Sequence, residues 1–75
     1  MSEKKKNLLI GLIRKHMAIA QIKSYTQLAA AMGCVSAPTL YRRMEDPEKL
    51  TLGELSRIVR FLRIPLEELQ EVLTV

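Results

Sequence analysis

The sequence predicts an all-α fold, one compact domain of five short helices. Three observations predict it. Apolar residues recur every three or four positions, as in Leu9, Ile13 and Met17, or Leu55, Ile58, Val59 and Leu62, and no stretch alternates apolar and polar as a half-buried strand would. Helix start and stop residues punctuate the chain at Ser24, Gly33, Ser36, Asp46-Pro47, Thr51 and Pro65. The aromatic residues are limited to Tyr25, Tyr41 and Phe61, which leaves a core of Leu, Ile, Met and Ala, the composition of a small helical domain. Seventy-five residues hold one domain and offer little room for a deep catalytic cleft.

Helix one is expected from about Lys4 to Gln21, with Leu9, Ile13, Met17 and Ala20 facing the core. Leu8, Ile10, Leu12 and Ile19 make it apolar on more than one face, a surplus for another helix of the chain or for a partner. Residues 1–7 read as a basic arm ahead of a domain over residues 8–75, with Lys4 to Lys6 frayed and exposed. Helix two is expected over Tyr25 to Met32, where Ser24 and Gln27 have the spacing of a capping box and Gly33 supplies the left-handed residue that ends a helix. Leu28, Ala29 and Met32 form its inner face. Helix three starts after Ser36, carries Pro38 in its first turn, and ends before Asp46-Pro47. Val35 and Leu40 have the spacing of a hydrophobic staple, and Leu40 with Met44 marks the inner side. Helix four has the clearest beginning, a Thr51–Glu54 capping box with a Leu50–Leu55 staple. Helix five opens at Pro65 and runs from Leu66 to about Leu73, with Glu67 and Glu68 in its first turn as the helix dipole favours.

The net charge of +4 is unevenly placed. Residues 1–63 hold all 12 Lys and Arg against five acids, which is +7, while Glu67, Glu68 and Glu71 give the last twelve residues −3. A basic body with an acidic end suits an anionic partner on one face, although such charge also serves plain solvation. The single cysteine, Cys34, excludes an intramolecular disulfide and fits a reducing, cytoplasmic compartment; beside Val35 it reads as a buried small hydrophobe rather than a reactive thiol. No apolar run reaches the ~20 residues of a membrane span. Lys4-Lys5-Lys6 ahead of Leu8-Leu9-Ile10 faintly resembles a signal peptide, but Arg14, Lys15 and His16 interrupt it. One histidine and one cysteine make no metal cluster, and Glu67, Glu68 and Glu71 look like a solvated helix face, so neither a metal, a cofactor nor an enzymatic activity is expected.

Gln27-Leu28-Ala29-x-x-Met32-Gly33, followed by Val35-Ser36-x-x-Thr39-Leu40 and Arg42, resembles the lambda repressor and Cro-like (XRE-type) helix-turn-helix family. The segments around Leu50 to Leu62 and Pro65 to Leu69 look like that family's fourth and fifth helices, so the resemblance covers about residues 8–70. Thr39 to Met44, with Pro47 and Thr51 to Leu55, looks like variants from bacteriophages or prophages. The physics of the motif stands beside the likeness. Ala29 is small where two helices cross, Gly33 permits the turn, and Leu28, Leu40 and Met44 clamp the pair, which frees the outer face of helix three for a major groove ~12 Å wide.

The resemblance implies a sequence-specific regulator of double-stranded DNA, with base contacts from Ala37, Pro38 and Arg42 and support from Thr39, Tyr41 and Arg43. Arg42 has the chemistry to grip guanine O6 and N7, with a simple phosphate contact as its other role, whereas Ala37 and Pro38 offer only apolar contact, as to a thymine methyl. Tyr41 is either a phosphate donor or a packing residue. Arg43, three after Leu40, is either a rim residue paired with an acid such as Glu45 or a second DNA contact. Ser24, Tyr25 and Gln27 at the start of helix two fit phosphate contacts, with capping alone as the other role of Ser24 and Gln27, and Lys49 is placed to reach a phosphate. Beside the common family form the turn from Gly33 to Ser36 looks one residue longer, which leaves open whether Arg42 or Arg43 takes the base-reading position. A single module buries limited surface, so a homodimer on a near-palindromic operator is expected, with Leu73, Val75 and the surplus apolar residues of helix one as interface candidates. The competing class is a protein-interaction module, antitoxin- or antirepressor-like, that presents helix one or acidic helix five to a protein; an RNA binder is a third.

Overall fold

The computed structural model describes residues 2–75. Its elements are α1 (Glu3–Ile19), α2 (Tyr25–Met32), α3 (Ala37–Glu45), a 3-10 turn (Pro47–Lys49), α4 (Leu52–Leu62) and α5 (Leu66–Leu73), with no strand among the described residues. α1 is the spine: α4, α5 and the 3-10 turn all pack against it, while α2 packs on α3 and on α4. Leu9, Ile13, Leu28, Leu40 and Ile58 are the largest fully buried side chains, one or two from each of α1 to α4. Each such side chain contributes ~1.5–3 kcal/mol by leaving water. Leu62, Ile64 and Val72 close the core from the C-terminal side.

The capping chemistry explains the boundaries. Ser24, Ser36 and Thr51 each accept the backbone N–H three residues on, at 3.1, 3.3 and 3.0 Å. The Thr51–Glu54 box is complete, because Glu54 also accepts from the Thr51 N–H at 3.0 Å. The Ser24–Gln27 box is half formed: Gln27 Oε1 accepts from the N–H of Lys23 at 2.7 Å, one residue before the cap.

α1 departs from expectation at both ends. It starts at Glu3, capped by the Ser2 hydroxyl, so part of the basic arm is helical. Only Lys4 of the three lysines is fully exposed. Lys5 Nζ donates to the Leu73 carbonyl at 2.9 Å, and Lys6 Nζ lies 3.5 Å from Asp46 Oδ1. At the other end, α1 stops at Ile19 and Gln21 takes φ 61°, so Ala20 is exposed rather than in the core. The Ile22 N–H then reaches back to the Met17 carbonyl at 2.8 Å, which ties up a terminal carbonyl and turns half-buried Ile22 onto the core. Leu12 and His16 take the buried places instead of Ala20. α4 ends the same way at Arg63 (φ 57°), with the Ile64 N–H on the Val59 carbonyl at 3.0 Å.

Candidate nucleic-acid interface

α2 and α3 form a helix-turn-helix. Gly33 adopts φ 70° and its N–H bonds to the Ala29 carbonyl at 3.0 Å, so the chain leaves α2 through a left-handed residue. A side chain at Gly33 would meet no neighbour; its backbone conformation is what requires glycine. Ala29 and Leu28 are buried on the α2 side, Leu40 and Met44 on the α3 side. With those residues anchored, α3 turns Pro38, Tyr41, Arg42 and Glu45 to solvent, while Ala37, Thr39 and Arg43 are half-buried. Ser36 both caps the helix and donates its hydroxyl to Thr39 Oγ1 at 2.9 Å.

The two arginines of α3 are in different circumstances. Arg43 Nε donates to Glu54 Oε1 at 2.9 Å, bridging α3 to α4. Its acidic partner is therefore Glu54 and not Glu45. Arg42 is exposed and no ion pair holds it among the described residues. It lies four residues after Pro38, on the same outward face. The Thr51 N–H and then the Arg43 guanidinium hold the Glu54 carboxyl below its ordinary value.

Tyr41 is fixed by α2. Its ring meets Tyr25 edge-on, with centroids 5.3 Å apart at 81°, and its hydroxyl accepts from Thr26 at 3.5 Å. The Arg14 guanidinium lies 5.9 Å from the centre of the Tyr25 ring, so α1 contributes a cation beside the first turn of α2. Arg14, Lys23, Ser24, Tyr25 and Tyr41 line one open groove between the end of α1 and the start of α2. This convergence gives the groove two cations, two phenol hydroxyls and the free N–H end of a helix, a combination that suits phosphate.

A family model described as helix-turn-helix matches residues 13–69. The chain belongs to the lambda repressor/Cro-like (XRE-type) helix-turn-helix family. That family comprises DNA-binding regulators, and the five-helix architecture is its fold. No curated protein and no solved structure matches the chain significantly. Among the described residues no helix is long and apolar enough to cross a membrane.

Within this helix-turn-helix protein the expected site residues fall into three places. Ala37, Pro38, Thr39, Tyr41, Arg42 and Arg43 lie on α3, with Arg43 turned toward α4. Ser24, Tyr25 and Gln27 lie at the start of α2, where the Ser24 hydroxyl and the Gln27 carbonyl are already engaged in capping. Lys49 is exposed at the end of the 3-10 turn, which the terminator residues at 46 and 47 do not reveal as an element of its own. Arg14 and Lys23 are not legible as site residues in the sequence. Arg14 carries no motif, and only the packing of α1 beside α2 brings it to Tyr25. Cys34, expected to be buried, is exposed. The turn places it directly after left-handed Gly33, and Val35 packs against the core in its stead.

Proposed function

We propose that the chain is a transcriptional regulator of the phage Cro or repressor type, which inserts α3 into the major groove and represses by occluding its operator. The observation that carries this reading is the outward face of α3, where exposed Arg42 stands opposite the buried Leu40 and Met44. Arg42 reads guanine, and Pro38 offers an apolar surface to a neighbouring base. Thr39 and Tyr41 stand at the edges of that face. Tyr25, Arg14, Lys23 and the start of α2 grip one backbone, and Lys49 serves the backbone on the far side of α3. Two copies act on a near-palindromic site, with their α3 helices ~34 Å apart, since one module buries too little surface for useful specificity.

Selection from random duplex DNA, run with the parent chain and with Arg42→Ala, tests the reading. The parent enriches a guanine-containing half-site. The variant binds that site ~5–150-fold more weakly, as the loss of one bidentate base contact of about 1–3 kcal/mol requires, and its preference relaxes at one position. The logarithm of the affinity falls linearly with the logarithm of the salt concentration, with a slope of about −0.9 per phosphate contacted. Absence of any enriched duplex, and of binding at low salt, overturns the proposal. Unchanged enrichment by Arg42→Ala removes only the assignment of Arg42.

A further inference from the structure

Both edges of α3 are tethered to a neighbouring helix, each by different chemistry. Successive residues of a helix stand ~100° apart, so Tyr41 and Arg43 flank Arg42 on the two sides of the outward face. Tyr41 is held against α2 by the Tyr25 ring and the Thr26 hydroxyl. Arg43 is held against α4, where its Nε donates to Glu54 Oε1 at 2.9 Å. The same oxygen accepts from the Thr51 N–H at 3.0 Å, so backbone fixes the carboxylate that the arginine meets. The two side chains are 28% and 21% exposed, and salt screens such a partly buried pair less than one on the open surface. A guanidinium fork suits carboxylate and phosphate alike. Glu54 therefore offers Arg43 inside the chain what a DNA backbone offers outside it.

We infer that Glu54 withholds Arg43 from the DNA backbone and so leaves Arg42 as the arginine of α3 that meets the groove. Arg43 shares its edge of the helix with Thr39, four residues back, on the side toward α4. A guanidinium released on that edge faces a backbone rather than the base edges, and it adds a phosphate contact that carries no sequence information. Held by Glu54, it adds none. The sequence-independent part of the affinity stays lower, and two adjacent arginines do not compete for one guanine. Glu54 is a positioning residue, since it acts on DNA binding through Arg43 alone. The inference rests on the reading that α3 enters the major groove, and it names the residue that decides which of the two arginines goes with it.

Salt titrations of binding to a random-sequence duplex test it, run with the parent, Glu54→Ala and Glu54→Ala/Arg43→Gln. Glu54→Ala keeps the Thr51 hydroxyl as the cap of α4 and frees the guanidinium. Its log–log slope is steeper than the parent's by about 0.9, one phosphate, so between about 50 and 200 mM salt it loses roughly 3.5-fold more affinity than the parent does. The double variant returns to the parent's slope. Glu54→Gln, which keeps an acceptor for the Thr51 N–H, moves the slope in the same direction and replaces Glu54→Ala if that variant does not fold. The Nε–H resonance of Arg43, identified by its absence from Arg43→Gln, adds a readout that a change in stability alone does not move. In the parent it keeps its place when the duplex is added, and in Glu54→Ala it shifts. A slope unchanged by loss of Glu54 overturns the inference. So does a steeper slope that persists in the double variant, because loss of the carboxylate charge then explains it without Arg43. A parent whose Arg43 resonance shifts as far as that of Glu54→Ala overturns it as well. A parent that binds no duplex overturns the groove reading and this one together, whereas a parent that binds while Glu54→Ala gains no slope overturns this one alone.

Discussion

Two residues end helices in a conformation that their side chains oppose. Gln21 and Arg63 have φ of 61° and 57°, in the left-handed region where a Cβ crowds the next carbonyl at a cost of roughly 1–2 kcal/mol. Both are held there by the next residue in the chain: the N–H of Ile22 and of Ile64 bonds back into the helix, and each isoleucine turns toward the core. Gln21→Gly keeps that bond and removes the strain, while the unfolded chain gains freedom that offsets part of the benefit. The expected outcome is a gain of about 0.5–1 kcal/mol in urea denaturation, from the balance of those two effects. No gain, or a loss, means that Gln21 makes a compensating contact at the end of α1. Neither left-handed turn is legible in the sequence, because glycine is the usual marker and each site lacks it. Gly33 shows the converse: there the marker is present, and the turn falls where the sequence puts it.

At the scale of elements, α3 is set against α4 by one carboxylate. Glu54 completes the Thr51 capping box and receives Arg43, so it fixes both the start of α4 and the inward arginine of α3. Its carboxyl is held below the ordinary value of 4.5 by the Thr51 N–H first and the Arg43 guanidinium second. A carboxyl depressed on folding stabilises the fold at pH above its unfolded value, and that contribution is lost as pH falls through the lower, folded value. Glu54→Gln is therefore expected to lower stability by about 1 kcal/mol at neutral pH, as loss of a charge-assisted bond does. The gap between parent and variant closes in urea titrations carried below the usual carboxylate range; a gap that persists there rules the charge out as its source. The Thr51–Glu54 box, the three hydroxyl caps and the bounds of α2, α3 and α5 are legible because they depend on residues three or four apart. The Arg43–Glu54 and Arg14–Tyr25 pairs are not, because 11 residues separate the first in sequence and the second joins helices whose approach no local pattern encodes. The half-formed box at Ser24 misleads for a related reason: two side chains with the right spacing still choose between adjacent N–H groups, and Gln27 takes that of Lys23.

At the scale of the whole molecule, stability depends on a small core. A chain of 75 residues has about 4–11 kcal/mol in total, at the usual stability per residue. Ile13 is fully buried at the centre of α1, the helix on which α4 and α5 both rest. Ile13→Ala is expected to cost about 2–5 kcal/mol, a large share of that total, and to lower the thermal midpoint of every helix together. A midpoint that falls for only part of the helical signal shows that the helix-turn-helix folds without α1. The fold class and the order of the helices are legible at this scale from apolar spacing alone. The ties between the first and last helices are not: Lys5 to the Leu73 carbonyl, and Lys15 and His16 to Glu68, join residues more than fifty positions apart. Those ties have a consequence in time. A ribosome adding about 5–20 residues per second makes His16 roughly 3–10 s before Glu68. For that interval the edge of α1 that α5 will cover lacks its partner, and His16 lacks Glu68. The helix-turn-helix is thus synthesised before α5, the helix that covers the edge of α1.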